Sequence, residues 1–391
     1  MPIINRIADF HPDMTEWRRD LHAHPELALQ EIRTSQVVQD KLRSFGVDEV
    51  VTGLARTGVV GVIRGRGPGG AIGLRADMDA LPLQEETGVP YASQNAGKMH
   101  ACGHDGHTTM LLGAARYLAE TRNFDGTVYV IFQPAEENLG GGEIMVKEGL
   151  FERFPMEKVF GMHNWPSMPA GTFYWRDGPT MAAVANIEIT VTGKGAHGAY
   201  PERGIDPIVV ASHIVTALQT IVSRNLNGME AGVVTIGHIG GGFIYNIIPE
   251  TVHMKGTGRW FSPKVGDLLE NGVRRIAKGI AESFGAKAEV TFERAYPPTV
   301  NDADAMKLAR RAAEAVAGGA RVEHLERPSM GGEDFAFMLE KKQGAYIMLG
   351  AGRTNDDPQL HNPHYDFNDE VLPLGASYWA TLAEQLLPRK S

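Results

Sequence analysis

The sequence predicts an α/β protein with an α+β insert. Residues 1–184 and 296–391 form a discontinuous domain with a mostly parallel sheet flanked by helices, and residues 185–295 form an inserted ferredoxin-like domain. Three observations predict this. Short, near-continuous apolar runs alternate with helical patterns outside the insert, as expected of strands covered on both faces. Residues 186–192 switch to period-two alternation, and the segments after them read β-α-β-β-α-β in total. The length of 391 residues suits two or three domains.

The elements follow in order. Residues 14–45 read as helices, with Val37, Val38, Leu42 and Phe45 at helical spacing and Gly46 as the stop. Residues 58–63 are a short apolar run, and Arg64-Gly-Arg-Gly-Pro-Gly-Gly is a turn or loop before a strand at 71–77. A helix is expected at 108–120 and strands at 128–132 and 158–162. Within the insert, 186–192 is a strand and 206–224 an amphipathic helix with Pro207 in its first turn. Strands at 232–236 and 250–260, a long helix at 264–284 and a strand at 287–294 complete it. A helix at 302–317 and a strand at 345–349 return to the first domain.

Composition excludes several function classes. Lys plus Arg number 38 and Asp plus Glu 47, a net charge of −9. That balance, with basic residues scattered, lacks the electrostatic footprint of a nucleic-acid binder. A hydrophobic share of 43% and a charged share of 22% exclude long disorder. The lone cysteine, Cys102, allows no intrachain disulfide and favours a reducing compartment. The N-terminus carries no apolar leader core, and no run of about 18 apolar residues suggests a membrane span. The expectation is a soluble cytoplasmic protein without membrane partners.

The chemistry concentrates in His100-Ala-Cys-Gly-His-Asp-Gly-His, where Cys102 and His104 sit in a glycine-containing turn before a helix. Any one of these residues alone reads as an ordinary buried or surface side chain; their clustering does not. A structural zinc finger lacks its second cysteine. Gln133-Pro-Ala-Glu-Glu follows a strand directly, so Glu136 and Glu137 stand where α/β sheets place their sites. Pro134 and the Gly140-Gly-Gly run argue for a shaped loop there. His163 follows another strand, His361 lies some residues after a third, and Arg75-Ala-Asp-Met-Asp ends a fourth. Strand ends thus deliver ligand-type residues to one edge of one sheet. Five candidate ligands, Cys102, His104, Glu137, His163 and His361, exceed what one catalytic zinc uses and suit two ions sharing a bridging group. Two such ions polarise a carbonyl and hold a bridging hydroxide, with Glu136 as the group that takes and returns its proton.

Taken together, Trp17-Arg-Arg-Asp-Leu-His-Ala-His-Pro-Glu-Leu, Arg75-Ala-Asp-Met-Asp-Ala-Leu-Pro, the two motifs above, Gly161-Met-His-Asn, Gly195-Ala-His-Gly, Asn246-Ile-Ile-Pro, Gly331-Gly-Glu-Asp-Phe and Leu360-His-Asn-Pro form an ordered series along nearly the whole chain. The series resembles the N-acyl-amino-acid amidohydrolases related to hippurate hydrolase and plant indole-acetyl-amino-acid hydrolases, within the aminoacylase and glutamate carboxypeptidase superfamily of dinuclear metallohydrolases. The resemblance implies that Cys102 bridges the two ions and that His104, Glu137, His163 and His361 complete their shells. It implies Glu136 as general base and acid, and Asp79 as the carboxylate that orients the site from below. His197 and Asn246 would help polarise the scissile carbonyl, and Arg259 would pair with the substrate α-carboxylate, a task suited to a guanidinium fork. The insert would act as a lid and join subunits into a homodimer or homotetramer, with His197 acting within its own chain or across the dimer. The metals would be zinc or manganese, with cobalt or nickel also compatible with the ligand set.

His22, His24 and His107 read as structural; His100 supports the site or is merely buried, and Glu333 and Asp334 orient the site or cap a helix. Gly193-Lys-Gly-Ala-His-Gly fits a dinucleotide fingerprint, but the next helix starts near Asp206 and not on the glycines, so that reading fails. A metallo-dipeptidase or carboxypeptidase on the same centre is the alternative enzyme; a dipeptidase needs an acidic partner for a free α-amine, and none stands out. A non-catalytic metal-binding protein would have lost a ligand or Glu136, and every such position is filled.

Overall fold

A computed structural model describes residues 3–390. The chain forms two compact units: Met1–Thr180 with Thr299–Pro328 and Glu333–Ser391, and Met181–Pro298 with Ser329–Gly332. The second is wider than the expected 185–295 and takes in a short return segment that no sequence signal marked.

The first unit is built on an eight-stranded sheet in the order Glu49–Leu54, Gly58–Arg64, Thr127–Gln133, Ala71–Asp77, Lys158–Pro169, Gln343–Gly352, Phe173–Trp175, Val322–His324. The four central strands run parallel. Gly58–Arg64 is antiparallel to both its neighbours, and Phe173–Trp175 is antiparallel to Gln343–Gly352. The sheet is therefore mixed but mostly parallel, as expected, with antiparallel pairing confined to Gly58–Arg64 and Phe173–Trp175. The reason is local for Glu49–Leu54 and Gly58–Arg64: a three-residue turn joins them, and a hairpin pairs only antiparallel. In Thr127–Gln133 every residue after Thr127 is buried, so helices cover both faces. Val130, Ile131 and Phe132 are fully buried, each worth about 1.5–3 kcal/mol of transfer free energy.

Helices His11–Ala23, Ile32–Ser44, His104–Thr121, Ala303–Ala317 and Leu372–Leu386 pack around this sheet. Ala303–Ala317 starts where Asp302 accepts the Ala305 N–H, which supplies one of the donors a helix start leaves open. Its buried face is nearly all alanine, allowing close approach to the sheet.

The second unit has a four-stranded antiparallel sheet, Gly232–Gly240, Thr251–Trp260, Ala183–Thr192, Lys287–Tyr296, with helices Pro207–Thr220 and Pro263–Ser283. This is the expected β-α-β-β-α-β unit. Ala183, Ala185, Ile187, Ile189 and Val191 face the core from one strand, the period-two pattern of a half-buried sheet. Asp206 and Ser262 cap the helices through the Ile208 and Val265 N–H groups. Pro207–Asn225 is long and apolar enough by composition to cross a membrane, although no such segment was expected. Its Val210, Ile214, Leu218 and Ile221 are buried in the core of this unit.

Candidate metal centre

Parallel strands present their C-terminal ends together, and the register makes the alignment specific. Asp77 pairs with Gln133, Arg75 with Gly161, and Met348 with His163. Asp77, Gln133 and His163 therefore reach the same level of one sheet edge. Gly103 turns the chain there with φ +86°, and the helix His104–Thr121 begins at once. A side chain at Gly103 would collide with Asn164 and Tyr365, so glycine is required on two counts.

Two groups of potential ligand atoms share one thiol. Cys102, His104 and His163 lie mutually within 4.8 Å, and so do Cys102, Glu137 and His361. Cys102 Sγ is 3.4 Å from His163 Nε2, and Glu137 Oε1 is 3.2 Å from His361 Nε2 and 3.9 Å from His104 Nε2. The imidazoles are turned for ligation. His104 Nδ1 lies 2.9 Å from the Asp79 carbonyl and 3.2 Å from Asp79 Oδ1, and His163 Nδ1 lies 2.6 Å from the Asn164 carbonyl. Donation from each Nδ1 leaves the Nε2 lone pair facing the cluster. Buried His104 Nε2 and Glu137 Oε1 have no hydrogen-bond partner. Unsatisfied buried polar atoms are costly, and a cation between them would satisfy both. Burial, with Glu137 and Glu136 nearby, pushes the Cys102 thiol well up; a divalent cation reverses that shift. The Cys, His and carboxylate set fits borderline divalent ions.

The loop bearing Glu136 and Glu137 is tightly shaped. Ala135 adopts φ +58°, and the Gly141 N–H closes the loop on the Ala135 carbonyl at 3.0 Å. A Cβ on Gly141 would lie 1.8 Å from the Pro134 carbonyl oxygen, which explains the glycine run. Asp79 Oδ2 accepts the Glu137 N–H at 3.0 Å, so this one carboxylate holds both His104 and Glu137. Glu136 is buried; burial first, then Glu333, Glu137, Asp334 and Asp79, raises its carboxyl well above the usual range. His361 also has a left-handed backbone, φ +63°, and its N–H bonds to the Ala101 carbonyl. Left-handed non-glycine residues cost roughly 1–3 kcal/mol and concentrate at functional sites.

Beneath the cluster lies a buried charge network whose members the sequence marked but whose pairing it did not disclose. Arg75 contacts Asp77 at 2.8 Å and Glu333 and Asp334 at 3.0 Å, and donates to Gln133 at 2.8 Å. Tyr346 donates to Glu333, and Asp334 accepts the Gly142 N–H at 2.8 Å. Asp334 thus supports the loop, while Glu333 both joins the network and accepts the Phe335 N–H at 2.9 Å, at the start of the helix Ala336–Leu339. His107 lies 2.6 Å from Asp77 and from Asn164 Oδ1, placing it beside the cluster. His22 contacts Asp105 and Glu85, and His24 the Asp20 carbonyl. His100 is buried with neither ring nitrogen hydrogen-bonded, and burial pulls it down to about 4, so it is neutral. The spacing of Asp77 and Asp79 was one signal for the lower network, since alternate residues leaving a strand share a face, and Glu333-Asp334 was another.

In the second unit, His197 sits on the short strand Ala196–His197, which pairs with Ile247–Ile248. The Gly198 N–H bonds to the Asn246 carbonyl at 2.7 Å, so His197 and Asn246 are neighbours, both exposed. Arg259, half-buried on Thr251–Trp260, donates to Thr257 and the Gly258 carbonyl and has no carboxylate partner among the described residues.

The sequence profile of peptidase family M20/M25/M40 matches residues 73–385. The chain belongs to this family. It is 42% identical to the hippurate hydrolase of Campylobacter jejuni over 99% of this chain and all of that one. It is 39% identical to an IAA-amino acid hydrolase of Arabidopsis thaliana, covering 97% of this chain and 87% of the relative. A Bacillus subtilis protein described as a dinuclear metal binding peptidase of the M20 family superposes with a TM-score of 0.83 at 36% identity, over 97% and 99% of the two chains. With the paired ligand groups, membership makes this M20 chain a metal-dependent hydrolase with a site for two divalent ions.

Proposed function

We propose that the chain hydrolyses N-acyl and N-aroyl amino acids to a free amino acid and a carboxylic acid, with Glu136 as general base and acid. The observation that carries the reading is the sharing of Cys102 by two ligand groups beside a buried glutamate. Cys102, His104, Glu137, His163 and His361 would hold two divalent ions, zinc or manganese and also cobalt or nickel. When bound, the ions supply Lewis acidity toward a carbonyl and toward water.

The protein's own groups do the rest. Asp79 fixes the His104 tautomer and the Glu137 backbone. Glu136 takes a proton from the attacking water and returns it to the leaving nitrogen as the C–N bond breaks; its raised carboxyl suits both roles. His197 and Asn246 polarise the substrate carbonyl, and Arg259 pairs with the substrate α-carboxylate. In support, the first two are adjacent and the guanidinium has no carboxylate partner among the described residues. The C. jejuni and A. thaliana relatives act, by name, on hippurate and on IAA-amino acids, both N-acyl amino acids. We read the second unit as lid and subunit contact of a cytoplasmic homodimer or homotetramer; exposed Met229, Phe243 and Tyr245 favour association.

A matched assay tests this reading. N-benzoylglycine and N-acetylmethionine are compared with unblocked dipeptides of the same C-terminal residues, with and without chelator. Chelator-sensitive cleavage of the blocked compounds alone is expected, and Glu136→Gln should abolish it while leaving metal bound. Cleavage of the free dipeptides instead would make the enzyme a dipeptidase.

A further inference from the structure

Glu31 is fully buried at the start of the helix Ile32–Ser44, yet its side chain makes no capping bond to that helix. The carboxylate points elsewhere. Oε1 accepts the N–H of Leu29 and the N–H of Ala135, both at 3.0 Å, and Oε2 accepts the Thr57 hydroxyl at 2.7 Å. Three separate segments therefore converge on one carboxylate.

Those segments are the strained ones. Among the described residues, six non-glycines have positive φ: Leu29, Ala55, Arg56, Arg122, Ala135 and His361. Leu29 and Ala135 bond directly to Glu31, and Ala55 and Arg56 form the turn whose next residue, Thr57, bonds to it. A left-handed conformation is unfavourable for a residue with a Cβ and persists where its surroundings impose it. Burial pushes the Glu31 carboxyl up to about 7, a cost an apolar side chain would not carry. Ala135 directly precedes Glu136 and Glu137, so its φ sets the direction in which both carboxylates leave the strand.

We propose that Glu31 is a positioning residue for the hydrolysis: by holding Ala135 left-handed, it aims Glu136 and Glu137 into the metal cluster. This rests on the roles proposed above for those two glutamates. Glu31→Gln keeps an acceptor for the two N–H groups; Glu31→Met fills the space and offers none. Glycine at 135 adopts the left-handed conformation without help.

The test measures kcat and KM on N-benzoylglycine in saturating manganese, with metal content and melting temperature, for the wild type, Glu31→Gln, Glu31→Met and Glu31→Met with Ala135→Gly. Misplacement by about 1 Å can cost on the order of 100-fold, so Glu31→Met should lose about 10- to 100-fold in kcat with KM little changed. Glu31→Gln should retain most of kcat, and Ala135→Gly should restore part of what Glu31→Met loses. Wild-type kcat in Glu31→Met with only a lower melting temperature would overturn the proposal. Should Glu31→Met not accumulate folded, Glu31→Asp serves, because its shorter side chain withdraws from Ala135. Glu136→Gln is assayed in parallel. If it still turns over, the reading of Glu136 fails; if it is dead and Glu31→Met keeps wild-type kcat, only the role of Glu31 fails.

Discussion

His361 Nε2 lies 3.2 Å from Glu137 Oε1, although the whole of the insert separates the two residues in the chain. The contact exists because Gln343–Gly352 inserts as a central parallel strand beside Lys158–Pro169, which directs the loop that follows it to the edge where Glu137 already stands. His361 is half-exposed and Glu137 nearly buried, so the cluster has one accessible side.

Cys102 is common to both ligand groups, and its replacement should therefore affect both ions. Even outer hydrogen-bond partners of metal ligands are worth about 10–100-fold in affinity, so Cys102→Ser should cost at least that much. Metal content after gel filtration, read by plasma mass spectrometry, is expected to fall well below two ions per chain. Full occupancy in the variant would remove Cys102 from the ligand set.

Arg75 bridges Asp77, Glu333 and Asp334, all buried. Removing one partner of a buried ion pair costs about 3–5 kcal/mol because the remaining charges stay uncompensated. Arg75→Met should destabilise the chain by about that amount in urea unfolding followed by tryptophan fluorescence. Arg75→Lys should recover little, since one ammonium cannot reproduce the fork that reaches three carboxylates and Gln133. A variant as stable as the wild type would mean that the network carries no net stabilisation.

His22 gives the fold a pH dependence with a defined sign. Burial disfavours its charged ring, but hydrogen bonds to Asp105 and Glu85 outweigh that and raise it to about 9. The folded state thus binds the proton more tightly than the unfolded chain, whose ordinary value is 6.5. The stabilisation is fully present below pH 6.5 and is lost as pH rises through about 9. The melting temperature of the wild type should exceed that of His22→Gln most at pH 6, with the gap shrinking toward pH 10. A gap that is constant across this range would show that His22 stays neutral in the fold.

Much of the site was legible because its signals are local. Cys102 and His104 sit two apart, Glu136 and Glu137 follow a strand directly, and apolar runs located the strands without reference to pairing. Which strands of the mostly parallel sheet run antiparallel was not legible, because pairing direction depends on which strand neighbours which, and apolar runs look alike in either direction. Arg75 and Glu31 were missed for another reason: charged side chains far from their partners in sequence read as ordinary surface residues until folding buries them.

The sequence by itself determined the ligand types, the strand ends that bear them and the alternation that marks the insert. These follow from side-chain chemistry and from periodicities within a few residues. Tertiary structure alone decided that Cys102 is shared by two ligand groups, that Asp79 holds both His104 and Glu137, and that Glu31 gathers three strained segments. Apart from the local Leu29 contact, each of those is a distance of a few ångströms between residues far apart in the chain, set by sheet order and register.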